Sequence, residues 1–255
     1  MKLEIYQVDA FASQPLRGNP AAVIPLGSWL ADEMLQAIAN ENNLSETVYF
    51  IPNGQRYHIR WFTPLHEVKL CGHATMAAAY VLFNELAVDL PEICFDSLSG
   101  ELTAKRLQDG WLELDFPAQP PVPCEPPSAL LRAFSHQPIA CLRAEDYVVV
   151  FEDEQQVLNA KPIYSQLEDL NLRGVVITAK SERYDFITRF FAPKYGVNED
   201  PVTGSAFTQL IPYWKQVLNK SSFHAKQASP RGGEVKCSVQ GDRVKISGQA
   251  NKSNT

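Results

Sequence analysis

The sequence predicts an α/β (α+β) protein made of two similar halves. Three observations carry that prediction. A run of prolines divides the chain near its middle, each side holds strand-length apolar runs and one apolar helix, and a short pattern leading into that helix recurs on both sides.

The first half opens on a strand-like "KLEIYQVDAF". An amphipathic helix follows through "LADEMLQAIANEN" (30–42), with Leu35, Ile38 and Ala39 facing inward and Ser28 near its N-terminus as a cap. "NNLSETVYF" places Glu46 at the start of a strand. The short strand "EVKLC" then passes through Gly72 and His73 into a helix over "ATMAAAYVLFNEL" (74–86). In "WLELDF" (111–116), Leu112, Leu114 and Phe116 fall on one face, the period-2 signature of a half-buried strand. The halves are expected at 1–117 and 128–255. Between them, six prolines from Pro117 to Pro127 exclude a central strand or a helix interior, so 118–127 reads as a linker.

The second half repeats the mixture. "YVVVFE", "GVVITA" and "DFITRFF" are β-branched and aromatic runs of strand length. The helix over "AFTQLIPYWKQVL" (206–218) contains Pro212, which is expected to kink it or divide it in two. "SPRGGEV" (229–235) reads as a hairpin turn, and its Arg231 offers a weak anion contact. The last strand, near 242–250, is expected to pack back on the N-terminal half.

The recurring pattern is an aromatic pair, a small residue, a proline, a loop, and a glycine that opens a helix. It appears as "RWFTPLHEVKLCGHAT" with Gly72-His73-Ala74, and again as "RFFAPKYGVNEDPVTGSAF" with Gly204-Ser205-Ala206. Such self-similarity points to a duplicated half-domain. A helix N-terminus carries unpaired N–H groups and holds anions well. Either glycine alone is most simply a tight turn; the repetition favours a site for a small anion formed by the two termini. Asp200 before Pro201 is a common turn opener, and His73 can cap its own helix. Together, Asp200, His73 and Ser205 also supply a carboxylate, a group titrating near neutrality and a hydroxyl, which suits proton transfer. Cys71 is most simply a small buried residue.

Composition narrows the function further. Of 255 residues, 45% are apolar and 20% charged, as in a folded globular protein, and the net charge of −6 argues against nucleic acid as a partner. Five widely spaced cysteines without a C-x-x-C pair suggest neither a disulfide framework nor a zinc site, and the five histidines show no ligand spacing. Neither a signal peptide nor a membrane span is recognisable, which gives a cytoplasmic expectation. Phosphate-loop, nucleophile-elbow and dinucleotide motifs are absent.

Taken in order, "VDAFASQPLRGNPAAV", "LSETVYF", "RWFTPLHEVKLCGHAT", "LDFPAQPP", "ITRFFAPKYGVNEDPVTGSA", "SPRGG" and "DRVKISGQA" resemble the PhzF-like family, named for phenazine biosynthesis, of the diaminopimelate-epimerase superfamily. The resemblance runs nearly end to end. It implies a duplicated diaminopimelate-epimerase-like fold, each half a mixed sheet around a central helix, with the site between the halves. It further implies an isomerase without metal or organic cofactor, acting on a small carboxylate-bearing, amino-acid-like or cyclic substrate, and a possible homodimer. Glu46 would be the proton shuttle, its pKa raised by burial, with His73, Asp200 and Ser205 as partners. Backbone N–H groups around Gly72, His73, Gly204 and Ser205 would hold the substrate carboxylate. Related epimerases use two cysteines; "VTGSA" has none, which disfavours a two-thiol racemase built on Cys71. A binding protein on the same scaffold is the reading from another class. Two positions depart from the family pattern: Phe207 stands where histidine is frequent, and the polar "NKSNT" tail is expected to shorten the last strand.

Overall fold

The computed structural model describes residues 2–14 and 16–253. They form two compact units, Met1–Asp115 with Ser247–Thr255, and Phe116–Ile246. The first unit contains β1 (Tyr6–Ala10), β2 (Asn19–Pro25), α1 (Asp32–Asn42), β3 (Glu46–Asn53), β4 (Arg56–Phe62), β5 (Glu67–Val68), α2 (Gly72–Tyr80), β6 (Glu92–Ser97) and β7 (Gly100–Arg106). The chain leaves it within β8 (Trp111–Pro117). The second contains β9 (Val122–Pro123), α3 (Ser128–Ala133), β10 (Ala140–Arg143), β11 (Tyr147–Val150), α4 (Glu154–Leu158), α5 (Tyr164–Glu168), β12 (Val175–Lys180), β13 (Phe186–Ala192), β14 (Val197–Asp200), α6 (Gly204–Leu218), β15 (Ser222–Gln227) and β16 (Gly233–Gln240). The chain returns within β17 (Arg243–Lys252).

Strand pairing reveals the duplication directly. In the first unit β1–β2 is antiparallel, β2–β3 parallel, β3–β4 antiparallel, β4–β6 parallel and β6–β7 antiparallel, with β5 a short antiparallel neighbour of β4. In the second unit β10–β11, β11–β12, β12–β13, β13–β15 and β15–β16 repeat the same alternation, and β14 stands beside β13 as β5 does beside β4. The principal helix, α2 or α6, follows that short strand in both.

Each principal helix has the sequence its place requires. From Gly72 to Ala79 every residue of α2 is buried. A helix apolar on all sides belongs in a core, and its run of alanines admits β1, β2 and β3 at close range. It starts two residues before the predicted "ATMAAAY", and its last turn widens into a π-helical turn over Val81–Glu85. α1 is more conventional: Leu35 and Ala39 are buried and Ile38 half-buried, while the Tyr49 hydroxyl donates to the Leu35 carbonyl at 2.7 Å. Ser28 does not cap this helix. It begins later, after Ala31, with Asp32 and Glu33 placed in its first turn where the dipole favours them.

Pro212 neither breaks nor divides α6, which runs through fifteen residues. A proline there deprives the Thr208 carbonyl of its helical donor. The backbone N–H of Gln119, from the proline-rich segment, fills that gap at 3.0 Å. The same segment contributes β9, two residues on the edge of β10, where prolines are tolerated. β8 alternates as expected, with Leu112, Leu114 and Phe116 buried. β17 extends to Lys252 and pairs with β1, so Asn251 and Lys252 of the polar tail lie within the strand. Phe207 is completely buried against Phe186, a core residue. Among the described residues, no helix is long and apolar enough to cross a membrane.

Candidate active site

Three neighbouring elements of the first unit bring a polar group together. Gly18 has φ +69°, and a Cβ there would lie 2.2 Å from the Ala10 carbonyl oxygen, so only glycine fits. That turn delivers Asn19, fully buried, to the start of β2. Glu46 opens the adjacent β3, opposite Ala21. His73 lies in the first turn of α2, buried. Its Nε2 is 3.0 Å from Glu46 Oε2; on the other side of the ring, Nδ1 is 3.2 Å from Asn19 Nδ2 and 3.5 Å from Cys71 Sγ. Ser45 Oγ donates to Asn19 Oδ1 at 3.3 Å.

Glu46 Oε2 and His73 Nε2 are both shielded from solvent and have no aligned hydrogen bond, despite their proximity. Buried polar atoms are nearly always bonded. Cys71 occupies the N-cap position of α2 but supplies no side-chain cap, and His73 does not cap its own helix either. The N–H of Ala74, in the first turn of α2, lies against the Cys71 sulfur.

The second unit holds Asp200 and Ser205 around the start of α6. Asp200, at the end of β14, is buried, and its Oδ2 accepts a hydrogen bond from the Thr203 hydroxyl. Thr203 is thereby withdrawn from capping α6, although it holds the N-cap position. Gln227, fully buried on β15, secures this turn: its Oε1 accepts the Thr203 N–H at 2.8 Å and its Nε2 donates to the Asp200 carbonyl at 2.8 Å. Ser229, in the predicted "SPRGG" turn, donates to the Pro201 carbonyl at 2.7 Å and accepts from Gly232 N–H at 2.9 Å. The half-buried Ser205 hydroxyl makes no hydrogen bond among the described residues. Asp200, bound within its own turn, and a half-buried hydroxyl thus stand at the same helix start.

With both clusters described, likeness to other proteins becomes informative. Residues 8–254 match the family described as phenazine biosynthesis-like protein. The chain belongs to that family. Among its relatives is an uncharacterized isomerase of Pseudomonas aeruginosa, 51% identical over 98% of this chain and 96% of the relative. A mouse phenazine biosynthesis-like domain-containing protein is 39% identical, again over 98% and 96%. A solved PhzF-family structure from Enterococcus faecalis superposes with a TM-score of 0.95 at 43% identity, covering 99% of this chain and 97% of that one. A hydroxyproline epimerase of Agrobacterium vitis, 11% identical with a TM-score of 0.68, shares the fold.

The electrostatics of the first cluster centre on His73. Burial opposes its charged form and is the largest single effect, but the electrostatic and hydrogen-bonding influence of the neighbouring Cys71 and Glu46 outweighs it and sets its pKa well above that of an ordinary histidine. Burial pushes the Cys71 thiol up, and Glu46 adds to the shift, so Cys71 is a thiol at neutral pH. Glu46, Cys71 and His73 also offer three ligand atoms within 4.8 Å of one another. Glu46 lies on the Nε2 side of the ring and Cys71 on the Nδ1 side.

Of the residues singled out in the sequence, the first unit brings Glu46, Gly72 and His73 together with Cys71. The second brings Asp200 and Gly204 together with Ser205. Asn19, Thr203 and Gln227 were missed. Asn19 lies within the quoted "RGNP" and Thr203 within "DPVTG", but nothing in either string tells which polar side chain turns inward.

Proposed function

We propose that this protein is an isomerase that moves a proton on a small carboxylate-bearing substrate, amino-acid-like or cyclic, with Glu46 as the shuttle. The observation that carries the reading is the buried, unsatisfied pair of Glu46 Oε2 and His73 Nε2, 3.0 Å apart. The Glu46 carboxylate takes a proton from a substrate carbon, becomes a carboxylic acid, and returns the proton to another carbon. The elements of the molecule are conserved and no redox partner is needed. His73 Nε2–H orients Glu46 and donates to the substrate oxygen on which charge develops. The N–H groups at Gly72 and His73 receive the substrate carboxylate. Asp200 and Ser205, with Gly204, are assigned to positioning the same substrate. Relatives named as isomerases support the reaction class.

The test is deuterium incorporation at carbon, followed by mass in D₂O with a panel of amino and cyclic carboxylic acids. Exchange that disappears in Glu46→Gln is the expected result. Exchange that survives that substitution unchanged would refute the assignment. Cys71 touching His73 is the observation behind an epimerase reading, in which the thiol is a base; its raised pKa weighs against it, and exchange retained in Cys71→Ser would remove it.

A further inference from the structure

We infer that Asn19 is a positioning residue for His73, holding the ring so that its neutral form carries the proton on Nε2 and the lone pair on Nδ1. The inference rests on the acid–base reading of Glu46 above and assigns a role to a residue outside that mechanism.

An amide nitrogen is a donor only, whereas a neutral imidazole presents one N–H and one lone pair. Asn19 Nδ2 stands 3.2 Å from His73 Nδ1, a contact satisfied only when Nδ1 accepts. The choice of amide end is fixed in turn by Ser45, whose hydroxyl donates to Asn19 Oδ1 at 3.3 Å. The Cys71 thiol, 3.5 Å from the same nitrogen, also presents a donor there. With Nδ1 occupied by donors, the single proton of the neutral ring must sit on Nε2, facing Glu46.

Asn19 belongs to the fold's rigid part as well as to the site. It is fully buried and begins β2, directly after a glycine that no other residue can replace without a clash. The charged or titratable groups acting on the ring are Glu46 on β3 and Cys71 ahead of α2. Glu46 favours the charged ring; the Asn19 N–H and the positive end of α2 oppose it. The balance gives a ring that returns to one tautomer after each proton movement. Without Asn19 the neutral ring is free to place its proton on Nδ1, which leaves no donor facing the reacting atoms.

The experiment uses the full chain labelled with ¹⁵N-histidine, with His73 assigned by comparison with His73→Gln. Long-range proton–nitrogen spectra from about pH 6 to about pH 10 sample both protonation states. In the wild type, the neutral ring is expected to show a protonated Nε2 and a lone-pair Nδ1. Asn19→Ala should give a mixture of tautomers, and Asn19→Asp, which accepts from Nδ1–H, should keep the ring charged to higher pH. Carbon exchange in Asn19→Ala should fall roughly 10-fold to 100-fold, part of what a positioned acid–base group contributes. Should Asn19→Ala fail to fold, Ser45→Ala, which removes the hydroxyl donor from Asn19 Oδ1, should still mix the tautomers. A wild-type ring protonated on Nδ1, or spectra indifferent to both substitutions, overturns the inference. Exchange insensitive to Glu46→Gln would instead overturn the catalytic reading, while the tautomer spectra would stand by themselves.

Discussion

Gln119 donates its backbone N–H to the Thr208 carbonyl, the acceptor that Pro212 leaves without a helical donor. The helix is continuous because a distant backbone group completes it. Gln119→Pro removes that donor and leaves a buried carbonyl unsatisfied, which costs about 1–3 kcal/mol. Gln119→Ala keeps the donor and should be near neutral. Adding Pro212→Ala to Gln119→Pro should recover most of the loss, since the new N–H at 212 reaches the same carbonyl. Urea unfolding of the three variants checks the order, and equal stability of Gln119→Pro and Gln119→Ala would contradict it.

Gln227 does for the turn before α6 what Asn19 does for His73. Gln227→Ala leaves the Thr203 N–H and the Asp200 carbonyl without their partner. The expected loss is about 1–3 kcal/mol for a buried unsatisfied group, read as a lower thermal midpoint. If Asp200 acts on the substrate, carbon exchange should fall in the same variant at temperatures where it is fully folded.

The raised pKa of His73 has a consequence for stability. The folded state holds a proton that the unfolded chain releases at lower pH. This stabilisation is complete below the ordinary imidazole value and is lost as pH rises through the higher folded value. The stability difference between wild type and His73→Gln should therefore shrink as pH rises across that window. A difference that grows with pH would contradict the charged Glu46–His73 pair.

Cys71 should resist alkylation in the native protein at neutral pH, because burial keeps it a thiol and the thiolate is the nucleophile. Iodoacetamide followed by peptide mass analysis should find Cys71 labelled only after unfolding. Rapid native labelling at this position would revive the thiol as a candidate base.

Gly18→Ala should destabilise the first unit by at least about 1–3 kcal/mol for the positive φ alone, and more because the new Cβ meets a backbone oxygen that cannot move aside. Thermal unfolding measures it, and an unchanged midpoint would show that the turn can rearrange.

Local chemistry explains what the sequence made legible. The alternation in "WLELDF" and the repeated glycine-led helices depend on neighbours a few positions apart, and the mixed sheets and principal helices follow from them. Helix starts were less legible: α1 ignores Ser28, because a cap must adjoin the first turn and not merely precede it. Propensity treats Pro212 as a local defect, whereas its remedy comes from Gln119, outside the helix. The site divides similarly. Glu46 and His73 stood in recognisable strings, but Asn19 meets His73 across 54 positions, and burial of an asparagine leaves no trace in its immediate neighbours.

The path of the chain between the units bears on its synthesis. Residues 116–246 form one continuous unit, whereas the other joins the first 115 residues to a segment that begins at Ser247. Because chains emerge from the ribosome N-terminus first, the unit made earliest is the last to be completed. β1 waits for Ala250, Asn251 and Lys252, its partners in β17, while everything between has already left the ribosome. Losing residues 247–252 therefore injures the N-terminal unit, and a translation stall just before Ser247 leaves residues 116–246 whole and the first-made unit unfinished.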